Sequence, residues 1–136
     1  MRIAKEFVAT YKVPKDLGGG EIELVYLNQG AEQQLMEDTN DLYIEYLKGE
    51  ASPKLKPKGV LFRELGVIRK VRSWKNFFDK DGTPLECNDV NKVLFSAENG
   101  FMKMFDEFYL KHKDLAEKEL EKERKNSKSS PGGSAE

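Results

Sequence analysis

The change in hydrophobic period along the chain constrains its fold most strongly. Side chains alternate between apolar and polar at a period of two in residues 6–13 and again in residues 21–27. Such alternation is typical of strands with one buried face. Pro14 ends the first segment, and a run of three glycines, Gly18 to Gly20, precedes the second. We therefore predict an antiparallel hairpin whose loop is not a phosphate-binding loop, because a strand and not a helix follows it.

The period then lengthens to three or four residues, which predicts a helix over residues 31–48. Asn28 or Gly30 is the candidate start, and Gly49 is the candidate stop. Residues 51–59 carry two prolines and several lysines and are predicted to be an extended basic linker. The residues that share one face of the helix are Leu35, Thr39, Leu42, Tyr43, Tyr46 and Leu47.

The apolar residues in 60–78 fit both the period of two of a strand and the period of three to four of a helix. Because Gly66 weakens a helix near its middle, we favour a short helix over residues 61–65 and a strand over residues 67–78. Asp79-Lys80-Asp81-Gly82 follows and is typical of a tight turn, since Gly accepts positive φ.

Two helices are predicted at the end of the chain, the first starting at Asn88 and the second, longer one capped by Ser96. The fold class is thus α+β: a hairpin, a helix, a strand and turn segment, then two C-terminal helices, the last one partly exposed. We predict a single domain over residues 1–115, a charged helical extension over 116–125 and a disordered tail over 126–136. The apolar stripe of the long helix comprises Phe101, Met104, Phe105, Phe108, Tyr109, His112 and Leu115.

Composition excludes several classes of protein. The chain has 136 residues, a single cysteine and no uncharged apolar run long enough to cross a membrane, so neither a disulfide scaffold nor a membrane protein is expected. No apolar signal-peptide region follows Met1, which predicts a cytoplasmic protein.

The net charge of −1 conceals two blocks of opposite sign. Residues 21–50 contain eight acids and one base, whereas residues 54–75 contain eight bases and one acid. Such blocks attract each other either within one fold or between subunits, and both possibilities remain open from the sequence.

Residues for catalysis are scarce. His112 is the only histidine and lies on a helix stripe, where a packed structural role is expected. Acidic and amide neighbours make Cys87 a poor nucleophile, and one His with one Cys do not form a zinc site. The turn near Gly82 lacks the first and last ligands of a calcium loop. We therefore predict a protein that is not an enzyme and uses no metal or cofactor.

Aromatic residues are the remaining candidates for a binding surface. Arginine, lysine and aromatic residues interleave over residues 54–78, a pattern that single-strand nucleic-acid binding also uses. No nucleic-acid-binding motif accompanies it, so nucleic acid is disfavoured as a partner. The candidate protein-binding residues, which the sequence does not divide between core and groove, are Trp74, Phe77, Phe101, Phe105 and Phe108.

The second half of the chain resembles the tail assembly chaperones of long-tailed bacteriophages. The resemblance covers residues 60–126 and rests on Val-Ile-Arg-Lys-Val-Arg-Ser-Trp at 67–74 and on Asp-Lys-Asp-Gly-Thr-Pro-Leu at 79–85. It continues through the helix from Asn88, the helix after Ser96 and the Lys125-Asn126 pair at the start of the polar tail.

This resemblance implies a non-enzymatic phage or prophage protein that coats the tape measure protein and recruits tail tube subunits. Such chaperones often occur as a short form and a frameshift-extended form, and this chain would match the short form. Head-to-tail self-association through the opposite charge blocks is a further expectation. The alternatives are a structural tail component, such as a tube or completion protein, and a nucleic-acid-binding regulator that uses residues 54–75.

Overall fold

A computed structural model describes residues 7–48 and 57–128 of the chain. Its fold is α+β, with a three-stranded antiparallel sheet and helices in the order that the sequence predicted. A short 3-10 turn, Lys15–Leu17, connects the first two strands. The elements are β1 (Val8–Lys12), β2 (Glu21–Val25), α1 (Gln29–Lys48), α2 (Lys58–Lys70), β3 (Val71–Lys75), α3 (Asp89–Ser96) and α4 (Phe101–Lys128).

The predicted hairpin is confirmed, and a third strand completes the sheet in the order β1-β2-β3. Val8 lies opposite Val25, and Ile22 lies opposite Trp74 of β3. Gly20 is required where the hairpin loop passes the end of β3. Its φ is 96°, and a Cβ there would lie 2.8 Å from the carbonyl oxygens of Lys75 and Asn76.

Helix α1 begins at Gln29, and Asn28 caps it, because the Asn28 Oδ1 atom accepts a 2.8 Å hydrogen bond from the Ala31 N–H. Leu35 and Thr39 are fully buried on the predicted inner face. The Thr39 hydroxyl donates to the Leu35 carbonyl at 2.7 Å, which satisfies this buried polar group.

Helix α2 is longer than predicted, and the strand after it is shorter. The helix runs from Lys58 to Lys70 in place of residues 61–65, and β3 covers only Val71–Lys75 in place of residues 67–78. Gly66 does not end the helix, because it is buried against α1 with Leu35 Cδ2 3.9 Å from the site of a Cβ. The close approach of two helices offsets the low helix propensity of glycine.

The C-terminal end of α2 gains a cationic cap from another helix. The Lys92 ammonium group of α3 donates to the Ile68 carbonyl at 3.2 Å, and this lysine is buried. A positive charge at a helix C-terminus interacts favourably with the helix dipole and with carbonyls that lack a partner in the helix.

The predicted cap at Ser96 is wrong, whereas the predicted start at Asn88 is confirmed. Asn88 Oδ1 accepts from the Asn91 N–H at 2.9 Å. Ser96 is instead the buried last residue of α3, and its hydroxyl donates back to the Val93 carbonyl at 2.6 Å. Helix α4 starts only at Phe101, after Gly100 has adopted a φ of 82°.

The core lies between one face of the sheet and the first half of α4. Burial continues one residue past Leu115, because Ala116 is fully buried, and α4 remains helical to Lys128. The predicted disordered tail is wrong for residues 126–128, which belong to α4, and its remainder, residues 129–136, lies outside the described residues. The predicted linker is wrong for residues 58 and 59, which begin α2, and residues 51–56 lie outside the described residues. The buried apolar cluster comprises Val13, Ile22, Leu24, Val67, Val71, Trp74, Phe77, Phe101, Met104 and Phe105.

Candidate functional site

Four of the five aromatic residues proposed for protein binding belong to the core. Trp74 and Phe77 are stacked with ring centroids 4.7 Å apart, and Phe95 meets both edge-on at 5.2 and 4.9 Å. Phe101 and Phe105 continue the cluster, with a centroid separation of 6.0 Å. Aromatic pairs in such arrangements stabilise a core beyond the area that they bury.

Phe108 is the fifth proposed residue and packs against the buried core from its edge. It is half-buried and stacks on Tyr11 of β1 at 5.4 Å. The structure therefore does not present Trp74, Phe77, Phe101 or Phe105 on its surface. Whether these residues contact a partner at all stays a prediction, and sequence reasoning gave no role to Phe95 or Tyr11.

His112 has a structural role, as the sequence indicated. It is fully buried. Its Nε2–H donates to the Phe7 carbonyl at 3.0 Å, and its Nδ1 accepts from the Tyr11 hydroxyl at 2.8 Å. This tautomer follows because a carbonyl oxygen only accepts hydrogen bonds. Burial lowers the pKa of His112, so that the imidazole is neutral near pH 7.

The other chemically reactive groups also have local structural explanations. Burial is the main reason that the pKa of the Cys87 thiol is raised, which disfavours the nucleophilic thiolate. The Asp79 carboxylate accepts from the N–H groups of Asp81 and Thr83 at 2.8 and 2.9 Å and thereby forms the predicted turn. Within residues 7–48 and 57–128, no group of three His, Cys, Asp or Glu side chains is placed to hold a metal ion.

The two charge blocks pair with each other inside one chain. Asp38 of α1 binds Arg69 of α2, and this hydrogen bond is the main reason that the pKa of Asp38 is lowered. Glu32 and Lys70 form a second ion pair at 3.4 Å. The acids of α1 thus hold α2 beside it, and bases that had suggested nucleic-acid binding already have carboxylate partners.

A third ion pair joins the blocks across the sheet, between Glu23 of β2 and Arg72 of β3 at 3.9 Å. The Ser73 hydroxyl also donates to the Glu23 carboxylate, at 3.1 Å. Of the two possibilities that the sequence left open for the blocks, attraction within one fold is therefore realised.

Two clefts in the surface lie beside α4. A cleft of about 630 Å³ separates α4 from the start of α1 and the end of α2, and a second cleft of about 470 Å³ adjoins it at Tyr26 and Leu27. We call the two clefts together the α4 groove. Leu110, Lys113 and Glu117 line one wall of the first cleft.

Tyr109 fixes the floor of the first cleft. Its hydroxyl accepts from the Leu27 N–H at 2.9 Å, and the Lys70 ammonium lies 4.3 Å from the centre of its ring. Burial raises the pKa of Tyr109 to about 12, so this phenol stays protonated. These contacts hold the Tyr109 ring in place, and the first cleft is lined by both charged and apolar side chains.

The helices also expose apolar side chains that the periodicity had not separated from the core. Val90 and Leu94 lie exposed on α3, and Leu110 and Leu115 on α4. On α1 the exposed apolar residues are Met36, Ile44 and Leu47. Single exposed apolar side chains are common on protein surfaces, so these residues do not by themselves define a binding site.

Comparisons with known proteins do not assign a family, since no protein-family model, curated protein or solved structure matches the chain. In the part of the chain that the structure describes, no helix has both the length and the apolar character needed to span a bilayer.

Proposed function

We propose that the chain is a non-enzymatic assembly chaperone of a long-tailed bacteriophage, which binds the tape measure protein and tail tube subunits in the host cytoplasm. The observation that carries the proposal is that the residues of the sequence resemblance form one structural unit. The Trp74 indole N–H donates to the Leu85 carbonyl at 2.9 Å, and Phe78 bridges to Pro84. Asp79 closes the turn between them.

The α4 groove is the proposed binding site for the apolar helical client. Leu110 is 69% exposed and lies on the wall of the groove, beside charged residues such as Lys113 and Glu117. An apolar residue with a charged rim fits an amphipathic helix, which offers both kinds of side chain along its length. Weak binding by many copies would then cover a long client.

Co-expression with a fragment of the tape measure protein tests the proposal. We expect the fragment to remain in solution and to co-purify with the full chain. Leu110→Asp should weaken this complex, whereas Leu94→Asp, the same change at another exposed leucine, on α3 and outside the groove, should not. Thermal unfolding of both variants checks that the fold is unchanged.

The possible outcomes test the proposed function and the proposed binding site separately. An insoluble fragment with no co-purified complex would contradict the chaperone function. A complex that Leu110→Asp leaves intact would contradict only the assignment of the groove.

A structural tail component is the second candidate, because the sheet order leaves β1 and β3 as edge strands. Edge strands offer free backbone groups that pair with a strand of a neighbouring subunit. Rings or tubes formed by the isolated protein, without any client, would favour this alternative.

A further inference from the structure

Two rows of like charge remain on the surface after the charge blocks have paired. We define the acidic row as Glu37, Asp41 and Glu45 of α1. Its members are spaced by four residues, so they lie along one face of the helix, and all three are exposed. The row ends at Lys48, an exposed base three residues after Glu45 on the same face. None of them forms an ion pair with another described residue, in contrast to Glu32 and Asp38 on the same helix.

The second row is basic and lies on α4. We define the basic row as Lys111, Lys118 and Lys122, whose spacings of seven and four residues also place them on one face. All three are exposed, and only Lys118 has an ion-pair partner within its helix, Asp114 at 3.0 Å. Between the described parts of α1 and α4, no ion pair joins the two rows within one chain.

Each row also includes an exposed apolar residue. Ile44 adjoins Asp41 and Glu45 and is 46% exposed, and Leu115 lies between Lys111 and Lys118 and is 48% exposed. Like charges four residues apart repel, and exposed apolar side chains are costly to hydrate. Both costs fall when the rows face each other, because opposite charges then pair and the two apolar side chains are covered.

We propose that the occupant of the acidic row is a second copy of this chain, bound through its basic row. The rows are opposite in sign and similar in length, since a rise of eight residues along a helix spans about 12 Å and a rise of eleven spans about 16 Å. With a net charge of −1, two copies experience little overall repulsion, so local complementarity determines how they approach.

Two different surfaces meet in this contact, so it is heterologous. After two copies have bound, one end of the assembly still offers a free acidic row and the other end a free basic row. Further copies add at these ends, so association leads to rings or open filaments. The inference does not depend on the chaperone function. It requires only the placement of the two rows on the outside of the fold.

Charge reversal tests the inference on the full chain. One variant carries Glu37→Lys with Asp41→Lys, and the other carries Lys111→Glu with Lys122→Glu. Lys118 is left in place because Asp114 already pairs with it. In sedimentation velocity at low salt, we expect wild type to self-associate and each variant to have an apparent dissociation constant at least about tenfold higher. Added salt should weaken the wild-type association.

Mixing the two variants gives the sharper result. The first variant has two basic surfaces and the second has two acidic ones, so an equimolar mixture should recover association as an alternating assembly. A single chain with all four changes should also recover it. Thermal unfolding verifies that each variant is folded.

The inference is overturned if the wild-type protein stays monomeric at every concentration tested in sedimentation velocity. It is also overturned if the two variants associate as wild type does, or if their mixture shows no recovery while both are folded. Loss of client binding by the α1 variant without any change in self-association would assign the acidic row to the client and would also reject a second copy.

Discussion

The two halves of α4 share one helical repeat but are stabilised in different ways. In the first half, Phe101, Phe105 and His112 are buried against the sheet. After Ala116, Leu120 is only half-buried, and the ion pairs Asp114–Lys118 and Glu121–Arg124 are exposed.

The difference shows that a helical spacing of apolar residues does not by itself determine how stable each half of α4 is. A fully buried large apolar side chain contributes about 1.5–3 kcal/mol, whereas an exposed pair within a helix contributes about 0.2–0.5 kcal/mol. We therefore expect the first half to unfold with the whole domain and the second half to fray before it.

Truncating an aromatic residue in the first half should have the largest effect. Phe105→Ala removes a side chain that is only 2% exposed, and we expect the free energy of unfolding to fall by about 3–5 kcal/mol in urea denaturation. Leu110→Ala, on the outer side of the same half, is the matched control and should change it by less than about 0.5 kcal/mol. Equal losses for the two variants would contradict the orientation of α4.

Removing the Tyr109 hydroxyl should have the next largest effect. Tyr109→Phe keeps the ring under Lys70 but leaves the Leu27 N–H without its acceptor, at an expected cost of about 1–3 kcal/mol. Tyr26→Phe removes a longer, exposed hydrogen bond of 3.4 Å to Glu117 and should cost less. If Tyr26→Phe cost more in thermal unfolding, the floor of the groove would not depend on Tyr109.

Lowering the pH should destabilise the fold through protonation of His112 in the first half of α4. Burial lowers its pKa, so the unfolded chain takes up the proton more readily than the folded chain. The stability that the neutral ring provides is fully present above the unfolded pKa of about 6.5 and is lost as the pH falls toward the folded value. The slope is at most about 1.4 kcal/mol per pH unit for one proton.

Urea unfolding between pH 8 and about pH 5 measures this slope. His112 is the only histidine, and the lowered pKa of Asp38 affects stability only near and below its ordinary carboxyl range, so the window isolates the imidazole. A His112→Asn variant should show a flatter profile, and an unchanged slope in that variant would refute the assignment.

The smallest effect is expected in the second half. Lys118→Ala removes the exposed pair with Asp114 and should lower the helicity of the end of α4 without changing the free energy of global unfolding by more than about 0.5 kcal/mol. Circular dichroism measures the helicity, and amide hydrogen exchange measures the free energy of global unfolding. A shift as large as that for Tyr109→Phe would mean that this half is also held by the core.

Local patterns predicted much of the fold correctly. The hairpin, the turn at Asp79 and the start of α3 at Asn88 each depend on side chains within a few residues, as does the start of α1, for which Asn28 was one of two candidates. The extent of α2 was not predictable in this way, because Gly66 weakens a helix in isolation and is accommodated only by the facing Leu35.

The candidate binding site was less predictable than the fold. The sequence around Trp74 and Phe105 looks the same whether these residues face a core or a client. Only the packing of α4 against the sheet, to which Trp74 belongs, shows that they are buried. The α4 groove was missed because Tyr26, Lys70 and Tyr109 are distant in the sequence and meet only in the folded chain.

The sequence by itself determined the α+β class, the positions of most turns and the existence of two charge blocks, because these follow from periodicity and composition over short stretches. The tertiary structure alone decided which charges are used. Folding brings Asp38 to Arg69 and Glu32 to Lys70, while the acidic and basic rows stay in solvent. The physical reason is that an ion pair requires proximity of a few ångströms, which sequence spacing does not specify between separate elements.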